Sequence, residues 1–258
     1  MRLASLKLEV EKELGFWAAL RFLTIIPLWR RELSAEEAGR SLGYFPLVGL
    51  IIGLILVGLD RLLSLILPSA LVDAMLIVSL VVLTGALHLD GFIDTCDGFA
   101  SGKSPQERLE VMADSRTGSF GVIGVCCLLV LKYAALSSVP GAMRLAALIL
   151  MPVLSRWTMV YAVVAFPYAK KAPGTGHAFR QQDSWPRMAL ATSIALILSL
   201  WLMGPMGIAL MAAIWLIILG VASYLKRRLG GLTGDTYGAI NELAELFILI
   251  LLLPLGGV

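Results

Sequence analysis

"LIVSLVVLTGALHLDGFIDTCDG", residues 76–98, sets the problem of this chain. Up to Leu87 the run is apolar enough to lie in lipid; from His88 onward it carries Asp90, Asp94 and Asp97. The surrounding sequence is just as apolar. The chain has 258 residues, 59% of them hydrophobic, with a mean hydropathy of +0.87, whereas a soluble domain is nearer half apolar. Several runs approach or exceed ~18 residues, the length that crosses a bilayer. They are continuous rather than alternating, which argues against a β-barrel. The expected fold is an all-α integral membrane protein, a single polytopic domain over residues 1–258.

Seven spans are expected, at about 42–59, 71–89, 119–137, 143–166, 188–203, 207–225 and 237–254. An eighth apolar segment, 14–29, holds Arg21 and ends near Pro27; a central arginine is costly in lipid, so this segment reads as an interfacial or re-entrant helix. The opening residues do not read as a signal peptide, because charges run on to Lys12 and Glu13 and no small-residue cleavage site follows. Sixteen of the 21 Lys and Arg lie in the N-terminal arm and the long loops, which alternate with short ones such as 60–70 and 137–142. The positive-inside rule then places every long loop, and the aspartate segment with them, in the cytoplasm. The three cysteines, Cys96, Cys126 and Cys127, have neither a zinc-site spacing nor a framework for structural bridges.

Asp90, Asp94 and Asp97 stand at i, i+4 and i+7, one stripe on a helix. Like charges at that spacing repel, and a nearby low dielectric strengthens the repulsion. A divalent cation would relieve it, and magnesium usually binds a few carboxylates together with substrate phosphates. Asp114, followed by Arg116, is the fourth candidate. Glycines 118, 121 and 124 invite close approach by another backbone or by a ligand. His88 lies off the stripe; a proton acceptor, a supporting hydrogen-bond partner and an interfacial residue are all open readings. Lys103 and Arg108 suit orientation in the membrane, with phosphate contact a second role for Lys103. His177 reads as an ordinary loop residue.

"GGLTGDTYGAINELAELF" at 230–247 is a second acidic segment, with Asp235, Gly238, Glu242 and Glu245 on one helical face and Asn241 beside it. Acids at that depth are functional or paired, Arg21 and Arg156 being the candidate partners. Arg156 lies too deep to snorkel and is expected to face the bundle interior. Arg21 suits a phosphate or a buried acid equally. Pro27 and Pro46 are expected to mark bends near the inner surface. Asp60, in a short outer loop, is expected to tolerate neutralisation silently.

Acids, a metal ion and basic residues on one side of a bilayer suit phosphoryl transfer. A divalent-cation transporter is the rival class, but transport sites sit near the midplane. A scaffold would need neither acid cluster.

Five segments carry a resemblance: "TGALHLDGFIDTCDGFASGK" (84–103), "MADSRTGSFGV" (112–122), "RFLTIIPL" (21–28), "YFPLVGLIIG" (44–53) and "GGLTGDTYGAINELAEL" (230–246). Together, from about Phe16 to Leu252, they resemble the cobalamin 5'-phosphate synthase family, also called adenosylcobinamide-GDP ribazoletransferases. The family motif falls on His88, Asp90, Gly91, Asp94, Asp97, Gly98, Asp114, Ser115, Arg116 and Gly118. Phe92 and Tyr237 stand where leucine is usual, and neither departure touches a charged position. The resemblance implies a magnesium-dependent enzyme of the bacterial inner membrane, multi-pass and active on the cytoplasmic side. Its substrates would be adenosylcobinamide-GDP and α-ribazole or α-ribazole 5'-phosphate, with no nucleic-acid partner. The expected catalytic residues are Asp90, Asp94, Asp114 and His88. The expected magnesium ligands are Asp90, Asp94, Asp97 and Asp114. Arg116, Lys103, Arg21, Asp235, Asn241 and Glu242 are expected at the substrate. The sequence leaves homo-oligomerisation open. A looser similarity to CDP-alcohol phosphotransferases makes lipid head-group transfer the alternative, although their "AR" after the first Asp-Gly is replaced by Ile93 and Asp94.

Overall fold

The apolar run that enters the aspartate segment does not continue straight into it. In the computed structural model, which describes residues 15–26, 35–101, 103–169 and 185–257, helix α4 (Ser69–Leu83) and helix α5 (Leu87–Ser101) meet at 90°. The expected span 71–89 is therefore a broken one. Its elbow has a local cause. Gly85 and Ala86 both take positive φ, 59° and 57°, a conformation that ends a right-handed helix. Thr84 returns its hydroxyl to the carbonyls of Leu80 and Val81, at 3.0 and 3.1 Å. Helical residues 15–23 (α1) lead to the elbow, where the Ile25 amide donates to the Leu83 carbonyl at 2.9 Å. Over its described residues α1 buries Ala18, Ala19, Leu20 and Leu23 while leaving Trp17 exposed. Pro27 and His177 lie outside the described residues.

The remaining helices follow the apolar runs, apart from the short polar α2 and α6. They are α2 (Ala35–Ser41), α3 (Phe45–Leu63), α6 (Pro105–Val111), α7 (Ser119–Ser138), α8 (Arg144–Ala165), α9 (Trp185–Met203), α10 (Pro205–Leu229) and α11 (Gly234–Leu252). Six stretches are long and apolar enough to span, and the bent pair makes up to seven. This agrees with the expected all-α polytopic fold. Pro46 falls in the first turn of α3, where its missing amide costs nothing, so it begins that helix.

Helix α8 is the centre. In its most apolar window 89% of residues are buried within the protein, against 17% for α9, which faces lipid. Lipid tails remove most of the hydrophobic drive between helices, so close packing of small residues must hold the bundle. Gly49 of α3 shows how: a Cβ there would lie 2.3 Å from the Pro152 carbonyl oxygen of α8. Exposed Leu54, Val78, Val130, Ile197, Trp201 and Leu216 form the lipid-facing surface.

Helix α5 runs across one end of this bundle. Its beginning touches the first turn of α11, through Gly91 and Asp235. Its middle touches the start of α7, through Asp97, Gly118 and Gly121. Its end meets the last turns of α10, where Phe99 and Tyr224 rings lie 5.8 Å apart. At the opposite end, Arg144 clamps Asp60 at 2.6 Å and Asp73 at 2.7 Å. Asp60 is 8% exposed. It is a structural residue rather than a silent one, because its carboxylate joins α3 to α8 and, through the shared guanidinium, to α4.

Candidate active site

Asp97 is the stripe member that the fold claims for itself. One carboxylate oxygen accepts from the Gly118 amide and the other from the Gly121 amide, each at 2.8 Å. These amides open α7, whose first turn has no carbonyls of its own to bond and carries the positive end of the helix dipole. The glycines are required at this contact: a Cβ on either would sit 2.4 Å from an Asp97 oxygen. The close approach expected at 118, 121 and 124 is thus made by α5, with Cys96 filling the place against Gly124. Asp97 was expected to hold metal; here each of its oxygens accepts a backbone amide.

Asp114 was expected in the same ligand set and at the start of a helix. It lies in the loop before α7 and is gripped by Arg116, whose Nη2 and backbone amide donate at 2.7 and 3.0 Å. The Arg116 side-chain hydrogen bonds, with help from its amide, hold the Asp114 carboxyl down at about 2. Arg116 is otherwise exposed. Lys103 is also exposed and belongs to the cap of α6, its amide donating to Glu107 Oε2 at 2.8 Å. Ser104 and Glu107 close the capping box, and backbone bonds from Ser104 and Lys103 keep the Glu107 carboxyl below its ordinary range.

Asp90 has another setting. It is exposed at the mouth of a cleft of about 270 Å³, lined by Phe22, Phe45, Leu87, His88, Asp90, Gly91, Met159, Val163, Gly234, Asp235, Tyr237 and Gly238. The cleft brings the two acidic segments together. Helices α5 and α11 cross with almost no space between them: a Cβ on Gly91 would lie 2.6 Å from the Asp235 carbonyl, and one on Gly238 would lie 2.9 Å from the His88 carbonyl. Thr233 caps α11 through a reciprocal bond with Thr236 and donates its hydroxyl to Asp235 Oδ2 at 3.2 Å. Asp94 is one turn from Asp90 and half-buried. Arg21 is half-buried on the helix that supplies Phe22.

Asn241 and Glu242 do not line this cleft. They belong to a buried ionic group: Lys132 of α7 binds Glu242 at 2.6 Å and Glu245 at 2.5 Å, and Arg156 of α8 binds Glu245. Asn241 donates to Glu245 at 3.2 Å, and Ser155 accepts from Arg156 at 2.9 Å. Arg156 faces the interior with an acid partner, as its depth in α8 implied. Two cations meet two anions, so the group is neutral, and each charge has the partner that burial demands. Lys132 was not anticipated. The signal was a single lysine inside an otherwise apolar 20-residue helix. His88 lies between the group and the cleft, 2% exposed, with neither ring nitrogen bonded to a described residue.

Among the described residues, no three His, Cys, Asp or Glu side chains are gathered as a metal cluster. Asp90 and Asp235 across one cleft, with Asp94 a turn away, nevertheless suit magnesium, which needs only one or two carboxylates when phosphates complete its shell.

Comparison with known proteins agrees with the resemblance seen in the motifs. Residues 15–253 match the family described as cobalamin-5-phosphate synthase. An adenosylcobinamide-GDP ribazoletransferase of Desulforamulus reducens is 39% identical over 235 residues, covering 91% of this chain and 94% of the relative. One from Geotalea daltonii is 38% identical over 243 residues, 94% and 98% of the two chains. One from Synechococcus elongatus is 41% identical over 238 residues, 90% and 92%. No solved structure matches the chain. With the match running from α1 to the end of α11, this chain belongs to the cobalamin-5-phosphate synthase family.

Proposed function

We propose that the chain joins adenosylcobinamide-GDP to α-ribazole or its 5'-phosphate, releasing GMP, as a late step of cobalamin biosynthesis. The supporting observation is the cleft in which Asp90 and Asp235, from two distant acidic segments, meet beside His88. The ribose 3'-hydroxyl oxygen forms the new bond to the phosphorus carried by the aminopropanol arm. The bond from that phosphorus to the bridging oxygen of the diphosphate breaks, and GMP leaves with the bridging oxygen. The hydroxyl proton passes to a group in the cleft. His88 suits that role, since it lines the wall and its ring nitrogens bond to no described residue.

Asp90 and Asp235 would hold magnesium together with the substrate phosphates, with Asp94 a turn away from them. When bound, the ion neutralises the diphosphate and the charge that develops in transfer. Asp97 and Asp114 act behind them, fixing α7 and the 114–118 loop. Arg116 and Lys103, exposed beyond the cleft, draw in an anionic substrate. A cleft of about 270 Å³ is at the small end for a ligand pocket, so it takes the reacting phosphates and leaves the corrin outside.

The membrane is the cell inner membrane and the cleft opens to the cytoplasm. Support comes from Lys103, Arg108 and Lys226–Arg228, which lie at the α5 end of the bundle. A cation transporter has less support, because the deep acids Glu242 and Glu245 are already neutralised by Lys132 and Arg156.

Purified protein incubated with adenosylcobinamide-GDP, α-ribazole 5'-phosphate and magnesium should yield the corrinoid product and GMP in equal amounts. A parallel incubation with CDP-diacylglycerol and alcohol acceptors should yield nothing. Product in the second incubation alone would replace this function with lipid head-group transfer.

A further inference from the structure

A second concavity lies on the other flank of α5 and shares no lining residue with the catalytic cleft. It holds about 480 Å³ between α5, α10 and α11, walled by Phe92, Cys96, Phe99, Gly220, Tyr224 and Leu243 among others. Its walls are almost wholly apolar, as expected of a groove open to lipid tails.

What distinguishes it is its rim. The Arg108 guanidinium lies 5.4 Å from the centre of the Phe99 ring, and that of Arg228 lies 5.4 Å from the centre of Tyr224. The two rings are 5.8 Å apart. Arg108 Nη1 donates to the Arg228 carbonyl at 3.3 Å, so the two residues are neighbours. Neither pairs with a described carboxylate, and the Arg108 Nε is buried without a partner. Two adjacent cations repel unless an anion joins them. Aromatic faces below the guanidiniums partly offset the charge, and the same two rings wall the groove. An anion bound here would continue into an apolar tail.

We propose that this is a binding site for one anionic phospholipid, its phosphate on Arg108 and Arg228 and an acyl chain in the groove. Basic pockets between helices on the cytoplasmic side of a membrane recognise such head groups. The lipid would fasten α5 and α6 to the ends of α10 and α11. It therefore acts on the helix that carries Asp90, without touching the cleft.

Delipidated protein in a neutral detergent, titrated with phosphatidylglycerol or phosphatidylcholine, tests this by thermal unfolding. Phosphatidylglycerol should raise the melting temperature at concentrations where phosphatidylcholine does not. The double variant Arg108→Gln, Arg228→Gln should need about 10-fold or more phosphatidylglycerol for the same rise. Gly220→Leu should lose the rise as well. A Cβ at Gly220 meets nothing within 4 Å, so this variant fills the groove without a clash at its base. Should Gly220→Leu fold poorly, the arginine pair decides alone. Equal stabilisation by the two lipids, or an unchanged response in the double variant, would overturn the site. So would a rise produced by GDP and magnesium that the double variant abolishes, which would assign the arginines to the nucleotide.

Discussion

Asp90 and Asp97 are seven residues apart on one helix and have opposite fates. Asp90 opens to the cleft, whereas Asp97 is closed by two amides. Asp90→Asn and Asp235→Asn should each lower turnover on the order of 10²-fold, the scale of losing one strong electrostatic contact in a catalytic site, with protein level in the membrane unchanged. Asp97→Asn should instead lower stability by about 1–3 kcal/mol, the cost of weakening a charged hydrogen-bonded cap, seen as a drop in melting temperature that added magnesium does not restore. Asp114 predicts a pH effect. Its folded pKa of about 2 lies below the ordinary carboxyl value of about 3.9. Its pairing with Arg116 therefore contributes fully above pH ~4 and is lost as pH falls through ~2. Protection of the residue 115–118 amides against hydrogen exchange, taken relative to unstructured-chain rates at each pH, should fall across that window, and Arg116→Gln should move the change up towards the ordinary carboxyl range.

The helices that make the site are joined by charges that span elements. Lys132 brings α7 to α11, and Arg156 brings α8 to the same Glu245. Removing one member strands a buried charge, so Lys132→Met should cost about 3–5 kcal/mol. Adding Glu242→Gln should recover part of that loss, and chemical denaturation of single and double variants would measure it. At the far end, Arg144 ties α8 to α3 and α4. Arg144→Leu and Asp60→Asn should each lower the melting temperature with kcat of the remaining folded enzyme unchanged. A melting temperature equal to wild type for Asp60→Asn would show that Asp73 alone suffices for the clamp.

For the whole molecule the orientation in the membrane is the claim most open to direct test. With Cys96, Cys126 and Cys127 replaced, a cysteine at position 138 should react with an impermeant reagent in intact cells, and one at 104 should react only after lysis. Ser104 sits in the α6 cap beside the basic rim, while Ser138 ends α7 at the opposite end of the bundle. Much of this architecture was readable from the sequence. Long apolar runs fix helices because a bilayer leaves the backbone no other partner. The i, i+4, i+7 spacing correctly put three aspartates on one helix, and the depth of Arg156 correctly called for an acid. Spacing along one helix, however, says nothing of what packs against it. Only tertiary structure gave Asp97 to the amides of α7 and brought Asp235 across from Asp90. Lys132 went unanticipated, and Asp60 was expected to be silent, for the same reason. A charge inside or beside an apolar run declares that it needs a partner, but the partner is chosen by which helix faces lie together, a property of the folded bundle rather than of any one segment.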